Sequence, residues 1–124
     1  MHIEAPLFEA IFGGPLSLHD STVVGVHYRF EAGKVTMRWE VEFFHHPWND
    51  KRERFYVLEL LFEGALAESP YAFLGREIFR EAVRQEGDRL VVELAMEDDG
   101  STVEFSCNRI LEVGIREAAG TVRH

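Results

Sequence analysis

Three groups of residues in this chain are of types that do chemistry. His19-Asp20 sets an imidazole beside a carboxylate, the pairing that orients a histidine as a general base or supplies metal ligands. His45 and His46, with Asp50 shortly after, offer two imidazoles and a carboxylate, donors that suit zinc and similar ions. Cys107 is the single cysteine, which excludes an intramolecular disulfide.

Spacing argues against each as a reaction centre. Neighbouring side chains on an extended chain point to opposite faces, so His19 and Asp20 are expected to diverge. The expectation is a structural hinge, with His19 hydrogen-bonded near a strand start and Asp20 or Ser21 accepting from backbone amides in an Asx-type turn. His45 and His46 have neither the i,i+4 helical spacing nor a Cys-x-x-Cys companion, and Pro47 and Asn49 mark an exposed turn. A metal-dependent enzyme using His45, His46 and Asp50 is kept as an alternative, and no metal or cofactor is expected. Cys107 lies in an alternating apolar run and reads as a small buried hydrophobe. No glycine-rich phosphate loop, Ser-His-Asp order or paired-carboxylate signature stands out.

The segment from His45 to Arg54 is better read as a recognition loop. It is longer than a tight hairpin needs and shows Trp48 among polar residues, and tryptophan and arginine are the types most enriched in interface hot spots. His45, His46, Trp48, Asn49, Asp50 and Arg52 are therefore the candidate partner-binding residues; the competing reading folds Trp48 back over the open end of the core. A second candidate surface, Tyr71, Phe73, Leu74 and Phe79 around Gly75, is expected to be core on aromatic burial alone.

The elements that position these groups follow from periodicity. Pro6 at the start, Gly13 past the end, and the pairs Leu7/Ile11 and Phe8/Phe12 predict a two-turn helix over 5–12. Gly13-Gly14-Pro15 then turns the chain, and Leu16 and Leu18 carry it to His19-Asp20. Val24, Val26, Tyr28 and Phe30 alternate with polar or small residues as one strand; Val35, Met37, Trp39, Val41 and Phe43 form its hairpin partner across Glu31-Ala32-Gly33-Lys34. Tyr56, Leu58, Leu60 and Phe62 make a third inward row. Residues 65–85 are ambiguous. Leu74, Ile78, Phe79, Ala82 and Val83 share one side of a helical wheel, yet Gly75 interrupts it and Glu86-Gly87-Asp88 is a hairpin turn. Strands follow at Leu90 to Met96, at Val103, Phe105 and Cys107, and at Leu111, Val113 and Ile115. The tail 117–124 is expected to be loose.

A length of 124 residues predicts one domain, 1–124, with its folded core over 11–115. The net charge of −9 repels phosphate backbones and anionic membranes and would steer a basic partner in. Met1-His2-Ile3-Glu4 lacks a basic start and no apolar run reaches the length of a membrane helix, so a cytoplasmic protein is expected, with no nucleic-acid or membrane partner.

Three short anchors together resemble a known family. Phe12-Gly13-x-Pro15-x-x-Leu18-His19-Asp20, Leu58-x-Leu60-x-Phe62-x-Gly64 and Gly100-x-x-x-x-Phe105-x-Cys107-x-x-Ile110-x-x-Val113 are similar to the immunity protein 50 family of bacterial polymorphic toxin systems. The glycine, histidine-aspartate and cysteine positions carry most of that resemblance. It implies a small domain that binds and occludes a cognate toxin, with no catalytic residues, and it implies a strand over Glu77 to Gln85. The expected fold is a single antiparallel β-sandwich or curled sheet of six to seven strands with a short N-terminal helix. The expected function is non-catalytic binding of the immunity type, in which Gly13, Pro15, Leu18, His19 and Asp20 are structural. A small-ligand-binding or housekeeping interaction domain is the alternative.

Overall fold

Alternation of apolar and polar residues produces two antiparallel sheets facing each other across one core. The computed structural model describes residues 3–45 and 53–118. A short helix, α1 (Pro6–Phe12), precedes strands β1 (Thr22–Glu31), β2 (Lys34–His45), β3 (Arg54–Glu63), β4 (Ile78–Glu86), β5 (Arg89–Met96), β6 (Thr102–Cys107) and β7 (Arg109–Glu117). One sheet has the order β1-β2-β3-β7, the other β4-β5-β6. Among the described residues the chain is thus mainly β, and no helix is long and apolar enough to cross a membrane.

The β1–β2 turn shows why its residues suit it. Ala32 and Gly33 both have positive φ, 51° and 75°, as a two-residue turn matched to the strand twist requires. Helix α1 is too short to hold itself and is tied from outside. The Glu112 carboxylate on β7 accepts from the Leu7 and Phe8 amides, at 2.8 and 3.0 Å, satisfying two donors that a helix start leaves free. Ile3 and Ala5 are buried as well, so the core begins at residue 3 and not at 11. At the other end β7 includes Glu117, and the Ala118 amide donates to the Phe55 carbonyl; the ordered chain extends past the expected limit at 115.

Trp39 on β2 is fully buried and forms the centre of the core. Its ring lies 4.6 Å from Phe62 on β3, 4.6 Å from Phe73 in the 64–77 connection and 5.2 Å from Phe105 on β6. Met37, Val41, Leu58 and Leu60 from one sheet and Ile78, Val92, Leu94 and Met96 from the other complete the packing. Cys107 belongs to the same cluster, and burial pushes its thiol up to about 11, the behaviour of a hydrophobe and not a nucleophile.

The ambiguous segment 65–85 holds no helix: from Ile78 it is strand β4, and before that it runs through turns and two isolated bridges. Leu74, Ile78, Phe79, Ala82 and Val83 do not share a face: Ile78 and Val83 go into the core while Leu74, Phe79 and Ala82 stay exposed. The register pairs Val83 with Val92 and Ile78 with Met96, and only the neighbouring strand β5 makes this the favoured state.

Strand phase differs from simple alternation at three places. In each pairing one residue is skipped: Val24 on β1, Phe79 on β4 and Val113 on β7. These β-bulges sit on edge strands and turn an apolar side chain outward, leaving the three 39%, 49% and 52% exposed. Val24 therefore does not share a face with Val26 and Tyr28; Val23 is the buried residue there.

Trp39→Ala is expected to lower unfolding stability by about 3–5 kcal/mol in a urea titration. Trp39→Phe should cost clearly less, since it also removes the indole Nε1–H, which is buried without a partner. Glu112→Ala should cost about 1 kcal/mol by loosening the start of α1.

Candidate functional site

The two sheets are joined along a seam between the chain entering β1 and the chain entering β4. The Asp20 amide donates to the Ile78 carbonyl, the Ile78 amide to Ser21, the Val23 amide to Arg76 and the Gly75 amide to Val23, at 2.9, 2.8, 3.4 and 2.7 Å. Thr22 and Glu77 form a β-bridge within it. The bulged Val24 and Phe79 flank this seam, and Tyr71 and Leu74, 55% and 43% exposed, lead into it from the 64–77 connection. Only Phe73 of that connection's aromatic group is core, so the expectation of burial for Tyr71, Leu74 and Phe79 is corrected: the bulge and the turns of 69–75 point them to solvent.

His19 and Asp20 converge instead of diverging. Asp20 has φ +64°, a left-handed conformation that breaks the extended geometry on which divergence depended. Its carboxylate lies 3.2 Å from His19 Nε2, both side chains being more than half exposed. His19 Nδ1–H donates to the Phe79 carbonyl, and the imidazole stands edge-on to the Phe79 ring at 5.6 Å. The expected Asx-type turn does not form. Ser21 Oγ–H donates to the Leu18 carbonyl, and the Asp20 carboxylate faces the histidine.

With Nδ1–H committed to a carbonyl, a neutral ring would turn the Nε2 lone pair toward Asp20, so the protonated form is favoured. The Phe79 hydrogen bond, with Asp20, Glu97 and Glu81 nearby, accordingly raises His19 above its ordinary 6.5. Both ring nitrogens are occupied. The pair is a clasp holding Leu18-His19-Asp20 to β4, with the Glu81 and Glu97 carboxylates near the imidazole. Gly13 caps α1 in left-handed geometry and Leu18 is fully buried, in keeping with structural roles; Pro15 is exposed in the turn between them.

The recognition loop is reached only at its edge. His45 ends β2, pairs with Arg54, and is half-buried with its ring 4.8 Å from Phe12 and 6.2 Å from Tyr56. It closes the hairpin end and is not a free loop residue. His46, Trp48, Asn49, Asp50 and Arg52 lie outside the described residues. Among the described residues no three His, Cys, Asp or Glu side chains gather as metal ligands.

Sequence reasoning missed a charge ladder on the outer face of the four-stranded sheet. Glu40 on β2 accepts from His27 Nε2 at 3.0 Å on β1 and from Arg116 at 3.2 Å on β7, and Arg116 also reaches Glu59 at 3.6 Å. Gly25 leaves the space: a Cβ there would stand 2.7 Å from Glu40 Oε1. His27, then Arg116, holds the Glu40 carboxyl below its ordinary value. The cross-strand register was the only available signal, because these residues are far apart in sequence.

Compared with known protein families, curated proteins and solved structures, the chain matches none of them.

His19 is expected to titrate above its ordinary 6.5 by NMR, and Asp20→Asn to lower that value. A raised native pKa stabilises the fold below the unfolded value and is lost as pH rises through the native one, so the clasp weakens on the alkaline side. Glu40 has the opposite sign. Its depressed native pKa contributes stability that is fully present above the ordinary 4.5 and disappears as pH falls below it, so Glu40→Gln should flatten the acid limb of Tm below about pH 4.5.

Proposed function

We propose that this chain is a non-catalytic binding domain of the toxin-immunity type, neutralising a cognate bacterial toxin by covering it. The observation that carries this reading is the seam, where two edge-strand bulges turn Phe79 outward at the His19 end and Val24 outward at the end next to Leu74 and Gly75, with the Asp20, Glu81 and Glu97 carboxylates near His19. Apolar anchors within a polar rim are what a specific protein interface uses, the anchors for affinity and the rim for steering. The net charge of −9 favours a basic partner. The likeness of its three sequence anchors to the immunity protein 50 family supports the same reading and supplies the partner class.

The seam suits binding better than turnover. The imidazole it contains is engaged at both nitrogens, so no free base faces the surface there. Val24 and Phe79 lie on edge strands, and Leu74 lies in a turn bonded to β1 through the Gly75 amide, which keeps the surface pre-formed and lowers the ordering cost of association.

Co-expression with the product of the adjacent gene is expected to restore growth that this product alone arrests, and the two purified proteins should form a complex. Phe79→Asp, at an exposed bulge that leaves the core intact, should weaken the complex by about thirtyfold or more while Tm stays near that of the unsubstituted protein. No complex and no rescue would sink the immunity reading; a complex indifferent to Phe79→Asp and Val24→Asp would move the interface elsewhere.

A further inference from the structure

At the end of the sandwich farthest along the β1–β2 turn, a cleft of about 450 Å³ opens between the two sheets. Its lining includes Lys34, Arg89 and Arg109 against the single carboxylate of Glu63, with Val35 and Leu66 as apolar wall. In a chain of net charge −9 this is a local reversal of sign. Field lines from cations gathered in a concave, low-dielectric site are focused there, so the cleft attracts what the rest of the surface repels.

Arg89 is built in. Its guanidinium donates to the Gly64 carbonyl at 2.7 Å, to Asn108 Oδ1 at 2.7 Å, and to Ser106 Oγ at 3.1 Å from Nη2 and 3.3 Å from Nε. All of these acceptors are neutral. Neither Arg89 nor Lys34 has a carboxylate partner among the described residues. Arg109 meets Glu63 only at 3.8 Å, with its own side chain 68% exposed. The half-buried guanidinium of Arg89 is thus held in fixed geometry with no carboxylate against it among the described residues, a charge open to an anionic ligand.

The backbone is arranged to keep it so. Gly64 has φ +65°, and a Cβ there would lie 2.2 Å from Asn108 Nδ2, so only glycine lets Asn108 fold over this turn and hold Arg89. The Gly64 amide donates to Val35 and the Asn108 amide to Glu63, tying the β1–β2 turn, the end of β3 and the β6–β7 bend around one opening.

From this geometry we infer that the cleft is a binding site for a small organic carboxylate with a short apolar tail, its head on Arg89, Lys34 and Arg109 and its tail on Val35 and Leu66. Leu66, 58% exposed and fixed by its bridge to Ser106, supplies a wall that water alone does not require. The site is separate from the seam and does not depend on the binding function proposed for it.

Titration of the full chain with acetate, butyrate and inorganic phosphate, followed by amide chemical shifts at constant ionic strength with chloride as baseline, tests this. Butyrate is expected to give saturable shifts centred on Val35, Gly64 and Arg109, and to bind roughly threefold or more tighter than acetate because its tail buries methylenes. Lys34→Gln with Arg109→Gln, both exposed positions that leave Arg89 in place, should weaken butyrate about tenfold with Tm unchanged. Saturation by phosphate with no response to either carboxylate would overturn the ligand class. Absence of saturable shifts with all three, or equal butyrate affinity in the double variant, would overturn the site.

Discussion

The packing of Trp39 against Phe62, Phe73 and Phe105 is the interaction on which the rest of the structure depends. Phe62 is its neighbour within one sheet, Phe105 comes from the other, and Phe73 comes from the connection between them. One buried indole therefore sets the distance between the sheets and anchors the crossover that leads from β3 to β4. Aromatic rings of this size dominate the burial available to a domain of 124 residues. If the connection did not lie against Trp39, Gly75 and Arg76 would lose the contacts that place them beside Val23, and the seam would open.

Outside the core, arginines bridge carboxylates across the outer faces of both sheets. On the four-stranded sheet His27, Glu40, Arg116 and Glu59 run across the strands; on the three-stranded sheet Arg84 pairs with Glu93 and Glu104 at 3.2 and 3.1 Å. Each exposed pair is worth little alone, but the register sets Glu40 directly across from Glu59 and Glu93 directly across from Glu104, and Arg116 and Arg84, placed diagonally, each bridge one of these like-charged pairs and offset its repulsion. Arg76 does a related task at the far turn, bonding Asp98 and Asp99 at 2.9 and 2.7 Å and so fixing the β5–β6 turn to the seam connection.

The bulges link this scaffold to its exposed apolar side chains. An edge strand with regular pairing offers its backbone to any passing strand, and a bulge interrupts that offer by twisting the edge away. Here the interruption also turns Val24 and Phe79 outward at the two ends of the seam, so the device that discourages unspecific pairing exposes two apolar side chains. The His19–Asp20 pair ties one end of the seam to β4, the imidazole bonded to the Phe79 carbonyl and 3.2 Å from the Asp20 carboxylate.

Local information determined most of the fold. Period-two alternation located the rows of β2 and β3, whose inward residues Trp39, Leu58, Leu60 and Phe62 are all fully buried, and proline and glycine placement marked α1. Those signals reside in neighbouring residues, so they survive without knowledge of partners. Tertiary structure alone decided the state of 78–86, whose residues satisfy a helical wheel as well as a strand until β5 pairs with them. It alone decided the bulges, since a skipped residue is visible only against the opposite strand's count. It also decided both sites. His19 and Asp20 converge because Asp20 adopts a left-handed conformation stabilised by bonds to β4, and Lys34, Arg89 and Arg109 share a cleft only because two sheets bring three distant turns to one end. Sequence spacing encodes which residues a strand exposes; which of them meet is set by pairing across the whole chain.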